Sequence, residues 1–291
     1  MGPYLRGYNA PVKICHTIAE MRAASRAARQ GGRKLGFVPT MGALHAGHIS
    51  LVRAARQQCD FVAASIFVNP TQFGPKEDFS KYPRTFEHDR ELLEAEGVDF
   101  LFAPSTEEMY PPGATTFVNV EGLSEKLCGR SRPGHFRGVA TVVAKLFNIV
   151  EPDLAFFGQK DSAQAVIIRR MVRDLAFAVE IVVCPIVREP DGLALSSRNA
   201  YLDPRQRKQA TVLHRSLMRV KSMADGGESD SGRLIAVALE VFKEEPEVRL
   251  DYFEIVDREA LDPVADTSKG ALVAVAAFVG TTRLIDNMVL D

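Results

Sequence analysis

Hydrophobic positions along the first two thirds of the chain follow two periods that alternate. Short uninterrupted apolar runs predict buried strands, and segments with an apolar residue at every third or fourth position predict amphipathic helices. The predicted strands cover residues 35–38, 61–68, 98–102, 115–120, 154–157 and 179–186, and the predicted helices cover residues 18–30, 48–59, 86–96, 139–150 and 163–175. Strands that alternate with helices pair in parallel, so this pattern predicts a doubly wound, Rossmann-like α/β sheet.

The pattern changes after about residue 187. Asp203 followed by Pro204 predicts the start of a long helix, and a second helix follows a polar, glycine-containing break. Predicted strands then cover residues 249–256, 272–279 and 283–290, the last two joined by a hairpin loop. Helices followed by antiparallel strands predict a smaller α+β domain. We therefore predict two domains, residues 1–187 and a C-terminal lid domain of residues 188–291.

The composition of the chain mainly excludes some classes of protein. The chain has 291 residues, of which 46% are hydrophobic and 25% are charged, as in ordinary globular proteins. Its formal net charge is −1 and its isoelectric point is about 6.6. A nucleic-acid-binding protein normally shows a basic excess, so we expect no nucleic-acid partner.

No stretch of the sequence predicts a transmembrane helix or a secretory signal peptide. Residues 1–10 lack the apolar core of a signal peptide, and the run at residues 271–279 is too short to cross a bilayer. The four cysteines lie far apart and match no metal-binding spacing, as expected for reduced thiols. We expect a cytoplasmic protein without a membrane partner.

One strand-to-helix junction carries candidate chemistry. Residues 36–48 read Gly-Phe-Val-Pro-Thr-Met-Gly-Ala-Leu-His-Ala-Gly-His. We expect Pro39 to stop the strand, and helical periodicity begins after His48. A helix N-terminus offers free backbone N–H groups and a positive dipole end, which suit a phosphate. His45 and His48 can add hydrogen bonds or positive charge there.

Two other interpretations of this histidine pair stay open. A His-x-x-His spacing is common by chance and often has a structural or surface function. A zinc site is the second alternative, but zinc needs three or four ligands, and no Cys, Asp or Glu lies within residues 36–48. The strand before the pair and the helix after it favour nucleotide binding.

Further loops follow predicted strands in the same way. They cover residues 69–72, residues 158–161 and the chain from residue 187 onward. In a doubly wound sheet, ligands bind at the carboxyl ends of the strands. We therefore expect these loops and the histidine loop to converge.

Five stretches in the same order resemble the pantothenate synthetase family of the nucleotidyltransferase superfamily. The first is the His-Ala-Gly-His motif that ends at residue 48. The others are Phe-Val-Asn-Pro-Thr-Gln-Phe at 67–73, Asp-Phe-Ser-Lys-Tyr-Pro-Arg at 78–84, Phe-Phe-Gly-Gln-Lys-Asp at 156–161 and Leu-Ser-Ser-Arg-Asn at 195–199. One match would be weak, whereas five in the right order make chance implausible. The chain beyond residue 199 adds little to the resemblance.

The resemblance implies a reaction with two steps. The carboxylate of (R)-pantoate attacks the α-phosphorus of ATP to form a pantoyl adenylate, and the amine of β-alanine then displaces AMP. The products are pantothenate, AMP and pyrophosphate. The resemblance further implies a homodimer, and Mg²⁺ bound mainly through phosphate oxygens and water.

The resemblance assigns the catalytic and ATP-binding residues. His45 and His48 would contact the triphosphate, and Asp161 would accept hydrogen bonds from the ribose. Lys160 and Arg198 would neutralise phosphate charge, although each taken alone would be an ordinary surface cation. The implied ATP-binding residues are Met41, Gly42, Ala43, Leu44, His45, Ala46, Gly47, His48, Gly158, Gln159, Lys160, Asp161, Val187, Leu195, Ser196, Ser197 and Arg198.

The resemblance also assigns residues to the acid substrates. Gln72 and Gln164 supply amides that can bind a hydroxyl or carboxylate without adding charge. The family commonly has a second glutamine where this chain has Ala163, which is a departure. Tyr82 and Arg132 are further candidates for the substrate pocket. Asp89 is the candidate magnesium ligand, with a solvated helix face as its alternative.

Two other functions are weighed against the ligase. One is another adenylyl- or cytidylyltransferase of the same superfamily, which would release a nucleotide-linked product. The other is a non-catalytic nucleotide- or RNA-binding module. The Gln72 and Gln164 segments argue against the first, because they match this one family. Near-neutral charge argues against an RNA-binding module, and the presence of both histidines, Lys160 and Arg198 argues against a non-catalytic one.

Overall fold

The structure, a computed structural model, describes residues 11–75 and 77–291. The expectation that residues 1–10 hold no signal peptide therefore lies outside the described residues. Among the helices of the described residues, none is both long enough and apolar enough to cross a membrane.

The predicted parallel sheet is confirmed. Its strands are β1 (Lys13–Cys15), β2 (Leu35–Thr40), β3 (Phe61–Ile66), β4 (Phe100–Phe102), β5 (Leu154–Gly158) and β6 (Glu180–Cys184). In the described part of the chain these six strands are ordered β1-β4-β3-β2-β5-β6. The pairs β1/β4, β3/β4, β2/β3 and β2/β5 are parallel. The order changes direction between β2 and β5, which makes the carboxyl end of β2 the topological switch point.

Helices alternate with these strands. They are α1 (Ile18–Arg29), α2 (Ala46–Gln58), α3 (Phe86–Ala95), α4 (Thr106–Met109), α5 (Cys128–Ser131), α6 (His135–Val150) and α7 (Ser162–Asp174). The start of α1 is fixed by a capping box. The Thr17 hydroxyl accepts from Glu20 N at 3.2 Å, and the Glu20 carboxylate accepts from Thr17 N at 3.0 Å.

Strand β2 continues past Pro39, contrary to the prediction. Pro39 lies opposite Ser65, and Thr40 lies opposite Ile66 in β3. Proline removes one N–H donor but leaves the neighbouring carbonyls able to accept. The Thr40 carbonyl accepts from Phe67 N at 3.1 Å. The histidine loop therefore begins after Thr40.

One predicted short strand is absent from the structure, and one observed short strand was not predicted. Residues 115–120, all of them described, form no strand despite their β-branched and aromatic residues. Val118 N donates instead to Thr141 Oγ1 of α6 at 2.9 Å. Conversely, β1 was not predicted, because a strand of 3 residues is too short to show a period.

The helices of the C-terminal part agree with the prediction except for one break. They are α8 (Pro204–Gln209), α9 (Val212–Asp225) and α10 (Ser231–Phe242). Asp203 caps α8, since its Oδ1 accepts from Arg205 N and Gln206 N, each at 2.8 Å. The predicted single helix is interrupted where Thr211 Oγ1 donates to the Lys208 carbonyl at 2.7 Å. A hydroxyl that bonds the local backbone in this way competes with helical hydrogen bonding.

An antiparallel sheet follows these helices. Its strands are β7 (Val248–Val256), β8 (Ala271–Val279) and β9 (Thr282–Leu290). Within residues 77–291 these three strands are ordered β7-β8-β9, and both pairs are antiparallel. Val279 pairs with Thr282, so β8 and β9 form the predicted hairpin, with Gly280 at φ 59° in its turn. The predicted α+β composition is confirmed.

Contacts divide the chain into two compact units. Among the described residues, the first comprises residues 11–75, 77–118, 138–157 and 171–184, and the second comprises residues 119–137, 158–170 and 185–291. The predicted domains, residues 1–187 and 188–291, stay a prediction, because contact clustering does not show which part folds alone.

Each unit has its own hydrophobic core. In the first, Val38 of β2, Val52 of α2 and Leu101 of β4 are 0% exposed. In the second, Leu217 of α9 and Val275 of β8 are 0% exposed. Close-packed interiors of this kind are rigid, so the loops at their edges start from fixed positions.

Candidate active site

The predicted site residues fall into two groups, one in each compact unit. The first unit contains Met41, Gly42, Ala43, Leu44, His45, Ala46, Gly47, His48, Gln72, Tyr82 and Asp89. The second unit contains Arg132, Gly158, Gln159, Lys160, Asp161, Gln164, Val187, Leu195, Ser196, Ser197 and Arg198.

His45 and His48 lie at the start of α2 and contact each other. His45 is the N-cap residue, and its Nδ1 accepts from Gly47 N at 3.1 Å. The Nδ1 of His48 accepts from His45 N at 3.3 Å, and the two ring centroids are 4.2 Å apart. Because each Nδ1 accepts from the backbone, a neutral ring carries its proton on Nε2. The junction thus selects the tautomer in which each imidazole donates from Nε2, which suits a phosphate oxygen.

Several backbone amides of the loop that precedes α2 are already hydrogen-bonded. Gly42 N donates to Thr40 Oγ1 at 3.1 Å. Ala43 N and Leu44 N each donate to the Asp89 carboxylate at 2.8 Å. A phosphate could use these amides only by displacing their present acceptors, so the imidazoles are the better donors of this loop.

Asp89 is fully buried in α3 and holds the histidine loop. Its exposed fraction is 0%. Besides the two loop amides, it accepts from Thr85 Oγ1 at 3.1 Å. A buried carboxylate needs such donors because it has lost its hydration. The bond to Ala43 also offsets local strain, since Ala43 has φ 51°, a left-handed conformation that costs alanine about 1–2 kcal/mol.

This geometry does not fit the prediction that Asp89 binds magnesium. Both carboxylate oxygens accept hydrogen bonds from the protein itself. The alternative of a solvated helix face is wrong, because the side chain is buried. Across residues 11–75 and 77–291, no three His, Cys, Asp or Glu residues are grouped in a way that could hold a metal ion.

Gln72 lies in a short 3₁₀ turn, Pro70–Gln72, after β3. It is 9% exposed. Its Nε2 donates to Met41 Sδ at 2.7 Å, and its Oε1 accepts from Asn69 Nδ2 at 3.2 Å. The structure thus brings together two predicted residues, Gln72 and Met41, from the loops that follow neighbouring strands.

Asn69 fixes the Gln72 turn, and no role was predicted for it. It is 1% exposed, and its Nδ2 also donates to the Gly138 carbonyl at 3.1 Å. Its Oδ1 accepts from Tyr110 Oη at 2.9 Å. Burial raises the pKa of Tyr110, which keeps that phenol a neutral donor. A Cβ added at Gly138 would lie 2.2 Å from the Thr71 carbonyl oxygen, so only glycine permits this approach of α6.

Tyr82 is 6% exposed within the first unit. Its ring meets Phe73 edge-on, with centroids 5.9 Å apart. Aromatic pairs favour this arrangement, and the contact contributes to burying the ring. Its predicted place in a substrate pocket stays a prediction.

The 3₁₀ turn Gln159–Asp161 follows β5, and the second unit holds it from β9. The side-chain amide of Asn287 donates to the carbonyls of Gln159 and Lys160, each at 2.9 Å. Its Oδ1 accepts from Gln159 Nε2 at 2.9 Å. Lys160 is half-buried and Asp161 is exposed. The attachment uses the backbone and Gln159, and neither charged group takes part in it.

Val187 and Leu195 face each other in a short hairpin of the second unit. Leu195 N donates to the Val187 carbonyl at 3.0 Å, and Arg188 and Ala194 form an antiparallel bridge. Arg188 makes two bonds to the Asp286 carboxylate, at 2.6 and 2.9 Å. The hairpin is therefore also tied to β9.

Ser196, Ser197 and Arg198 follow this hairpin and are all half-buried. Ser196 caps the 3₁₀ helix Ser197–Tyr201, and its hydroxyl accepts from Arg198 N at 3.3 Å. This bond fixes the backbone that carries the Arg198 guanidinium. Two hydroxyls and one guanidinium in succession are groups that bind phosphate oxygens.

Gln164 and Arg132 are the second unit's candidates for the acid substrates. Gln164 is half-buried in the first turn of α7. Arg132 ends α5, and its Nη1 lies 3.0 Å from His135 Nε2. Ala163 is 6% exposed, so the departure from the family leaves a buried methyl group there. The substrate roles of Gln164 and Arg132 stay predictions.

His214 of α9 packs against the hairpin at Gly192. A Cβ added at Gly192 would lie 2.0 Å from His214 Nδ1, and Gly192 has φ 93°, so the position requires glycine. Burial lowers the pKa of His214, and the nearby charge of Arg188 lowers it further, while Asp286 and Asp191 act in the opposite direction. The ring is therefore neutral at pH 7 where it contacts the hairpin.

Sequence reasoning missed the loop-holding role of Asp89 and did not single out Asp286 or Asn287, although signals exist. Asp89 shares one face of α3 with Phe86 and Leu93, so it interrupts an apolar stripe. Asp286 and Asn287 interrupt the apolar run of β9 in the same way. A polar residue inside an apolar pattern is most informative when it is buried.

The fold and the first group of residues define a class of protein. A doubly wound parallel sheet with paired imidazoles at the strand-to-helix junction of its switch point is a Rossmann-like domain with its candidate site where such domains bind nucleotides.

Comparison with known proteins narrows this class. Residues 13–289 match the profile of the Pantoate-beta-alanine ligase family. A protein named pantothenate synthetase from Koribacter versatilis (strain Ellin345) is 63% identical over 280 residues, which is 96% of each chain. This chain therefore belongs to the pantoate-beta-alanine ligase family.

Solved structures agree with this assignment. The pantothenate synthetase of Thermus thermophilus is 51% identical with a TM-score of 0.91, and the match covers 95% of this chain and 99% of that one. A pantoate-beta-alanine ligase of Francisella tularensis, described as complexed with beta-gamma ATP and beta-alanine, is 34% identical with a TM-score of 0.80. That match covers 95% of this chain and 97% of the other.

Proposed function

We propose that this chain catalyses the ATP-dependent condensation of (R)-pantoate with β-alanine to pantothenate. The observation that carries the proposal is the family match over residues 13–289, a span that holds every candidate site residue. The ATP and β-alanine in the description of the Francisella relative support two of the three substrates.

The first step activates the acid. A carboxylate oxygen of pantoate attacks the α-phosphorus of ATP, and the bond from that phosphorus to the bridging oxygen breaks. Pyrophosphate leaves, and a mixed anhydride of pantoate and AMP stays bound. No protein nucleophile is required, so the protein contributes by aligning the reactants and by neutralising charge that develops on the phosphates.

The second step forms the amide. The neutral amine of β-alanine attacks the acyl carbon of the adenylate, the bond from that carbon to the AMP oxygen breaks, and the nitrogen loses a proton. AMP leaves with the electron pair of the broken bond. Holding the anhydride away from water protects it from hydrolysis before the amine arrives.

We assign the phosphate chemistry to four residues. The Nε2–H groups of His45 and His48 would donate to phosphate oxygens, with His48 acting at the α-phosphate. The Lys160 ammonium and the Arg198 guanidinium would neutralise the remaining phosphate charge. The tautomer that the backbone selects at both histidines supports this assignment.

We assign the acid substrates to neutral amides. Gln72 and Gln164 would bind pantoate by donating to its carboxylate and hydroxyl groups, with Tyr82 and Arg132 bordering the same substrates. The tie from Gln72 to Met41 supports this role, because it orients an otherwise flexible amide. A neutral donor leaves the negative charge of the pantoate carboxylate largely uncompensated, so the carboxylate stays nucleophilic. An ion pair would stabilise the carboxylate and make it a weaker nucleophile.

The proposal also covers the magnesium ion, the oligomeric state and the cellular location of the protein. Magnesium would arrive with the triphosphate and keep phosphate oxygens and water as ligands, since Asp89 is committed to the histidine loop. A homodimer is proposed from the resemblance to the family. A cytoplasmic location is supported by the cysteines, because all four lie among the described residues and are free thiols.

The proposal is tested by product analysis of the purified chain. ATP, magnesium and pantoate are supplied with and without β-alanine, and pyrophosphate, AMP and pantothenate are measured. We expect pyrophosphate with pantoate alone, up to one equivalent of enzyme. We expect AMP and pantothenate in equal amounts only after β-alanine is added.

Two results would contradict the proposal. A product in which the acid keeps its nucleotide after β-alanine is added would indicate another nucleotidyltransferase. ATP binding without pyrophosphate release under any of these conditions would indicate a non-catalytic nucleotide-binding module.

A further inference from the structure

Two consecutive polar residues are buried in the last strand, where an apolar sequence surrounds them. Asp286 is 3% exposed and Asn287 is 2% exposed. Burying a carboxylate or an amide is unfavourable unless hydrogen bonds replace the lost water. The partners of both side chains therefore show what this strand is built to hold.

The side-chain amide of Asn287 binds one segment, the Gln159–Asp161 turn, through three hydrogen bonds. Its Nδ2 donates to two successive carbonyls, those of Gln159 and Lys160, and its Oδ1 accepts from Gln159 Nε2, with all three distances at 2.9 Å. Two N–H donors and one acceptor on the same short side chain are a property of the primary amide. An aspartate of the same shape would place negative oxygen against two carbonyl oxygens.

Asp286 satisfies its carboxylate on the neighbouring hairpin. It forms a double ion pair with Arg188, and its Oδ1 also accepts from Asn287 N at 2.8 Å. Arg188 in turn donates to the Gly192 carbonyl at 3.0 Å. A bidentate arginine–carboxylate pair restricts direction as well as distance. The hairpin that carries Val187 and Leu195 is thereby fixed to the same point of β9.

We propose that Asp286 and Asn287 are positioning residues that set the two nucleotide-binding segments of the second unit, the Gln159–Asp161 turn and the 187–195 hairpin. This inference rests on the proposed function, which makes Lys160 and the residues after Leu195 contacts of ATP. The proposal assigns no substrate contact to either residue. Asn287 acts through the backbone of Lys160, and Asp286 acts through Arg188.

A purely structural role would have a different consequence. If Asn287 only stabilised the second unit, its loss would reduce the amount of folded protein and leave the properties of each folded molecule unchanged. A positioning role predicts that the folded variant binds ATP more weakly. It also predicts that this loss depends on the presence of the Lys160 ammonium.

The test uses the full chain and compares Asn287→Ala with Leu284→Ala. Leu284 lies in the same strand, is 5% exposed and packs in the core of the second unit, so its truncation destabilises the fold without removing a side-chain hydrogen bond to either segment. Equilibrium ATP binding is measured by calorimetry, and the KM values for ATP and pantoate are measured by pyrophosphate release, at a temperature where both variants are folded. Asn287→Ser, which keeps one donor, serves if the alanine variant does not fold.

We expect Asn287→Ala to weaken ATP binding by about tenfold or more and to leave the KM for pantoate within about threefold of the parent value. In a Lys160→Ala background the same change should weaken ATP binding by less than about threefold, because coupled residues are not additive. An effect on ATP binding no larger than that of Leu284→Ala would overturn the inference, as would full additivity with Lys160→Ala.

Failure of the proposed function is recognised separately. It appears as parent protein that releases no pyrophosphate from ATP and pantoate. The calorimetric comparison of Asn287→Ala with Leu284→Ala then still decides whether Asn287 positions a nucleotide-binding turn.

Discussion

The histidine loop of the first unit and the Gln159–Asp161 turn of the second are held by opposite chemistry. In the first, the charged carboxylate of Asp89 accepts from two backbone N–H groups at 2.8 Å. In the second, the neutral amide of Asn287 donates to two backbone carbonyls at 2.9 Å. In both, one buried side chain from outside the motif binds two consecutive peptide groups.

The difference follows from what each segment presents to a substrate. At the histidine loop the amides of Ala43 and Leu44 are occupied by Asp89, so the imidazoles are the better donors of this loop. At the turn the carbonyls of Gln159 and Lys160 are occupied by the Asn287 amide, so these two oxygens already have a donor. Asp89 thus occupies backbone donors that would compete with the imidazoles for phosphate, whereas Asn287 occupies carbonyl oxygens that would repel a phosphate.

The largest expected effect tests whether the histidine loop carries chemistry as well as binding. We predict that His48→Ala lowers single-turnover pyrophosphate release by about 10²–10³-fold, because it removes one preorganised donor to the transition state. ATP affinity should fall by less than about tenfold, since other contacts hold the ground state. Rapid-quench kinetics and calorimetry measure the two quantities.

His88→Ala is the matched control for this variant, because His88 is an exposed histidine of α3. It should change neither quantity. Equal losses of ATP affinity and of pyrophosphate release in His48→Ala would contradict a transition-state role.

The next effect tests whether the histidine loop needs a charged holder. We predict that Asp89→Asn destabilises the protein by about 2–4 kcal/mol, because one loop amide then faces an NH₂ group instead of an oxygen. Pyrophosphate release should fall by about 100-fold as the imidazoles lose their positions. Chemical denaturation and single-turnover kinetics measure both effects.

The magnesium dependence of this variant separates two roles for Asp89. A loop-holding role leaves the magnesium concentration for half-maximal activity unchanged, whereas a ligand role raises it. Glu87→Gln is the control, because the Glu87 side chain on the same helix is 74% exposed. It should change stability by no more than about 0.5 kcal/mol.

A smaller effect concerns the residue that connects the histidine loop to the turn after β3. We predict that Gln72→Ala raises the KM for pantoate by about 10–30-fold through the loss of one or two hydrogen bonds, and leaves ATP affinity nearly unchanged. Steady-state kinetics with each substrate varied measure this split. Gln57→Ala, at an exposed position of α2, should show no change, and an unaltered pantoate dependence in Gln72→Ala would remove the assignment.

The smallest effect concerns the hairpin side of the comparison. The pKa of His214 is lowered in the folded state, so the unfolded chain binds more protons and stability rises with pH in this window. We predict that the contribution of neutral His214 to stability begins to fall as the pH drops below about 6.5, the usual pKa of histidine. This loss is complete once the pH is below the lowered pKa of His214 in the folded protein. His214→Gln should flatten this part of the curve, and His88→Gln should not. Urea unfolding between pH 5 and 8 measures the free energy of unfolding at each pH. The same dependence of this free energy on pH in the parent protein and in His214→Gln would contradict the burial of a neutral His214.

The sequence predicted the architecture because the determining signals are local and periodic. Apolar runs and amphipathic helices identified the parallel sheet, and Asp203–Pro204 identified the start of α8. The errors occurred where tertiary context decides. Residues 115–120 have strand composition without a neighbouring strand, and the hydroxyl of Thr211 interrupts a helix that periodicity continued.

For the candidate site, the sequence predicted which loops carry it but did not predict which residues hold those loops. Motifs identified the loops, since glycines, histidines and cations stand together in the sequence. The holders could not be paired with their loops, because Asp89 lies 45 positions from Leu44 and Asn287 lies 128 positions from Gln159. A sequence shows that a polar residue interrupts an apolar pattern, but only the fold shows which backbone groups it meets.

Amide hydrogen exchange tests most directly whether one buried side chain holds each loop. Exchange would be followed by mass spectrometry in peptides covering residues 40–48 and 157–164, for the parent protein, Asp89→Asn and Asn287→Ala. We predict that exchange accelerates most in residues 40–48 in the first variant and in residues 157–164 in the second, beyond the uniform increase that reduced global stability causes. Unchanged exchange in both peptides, or an equal increase throughout each unit, would contradict the account.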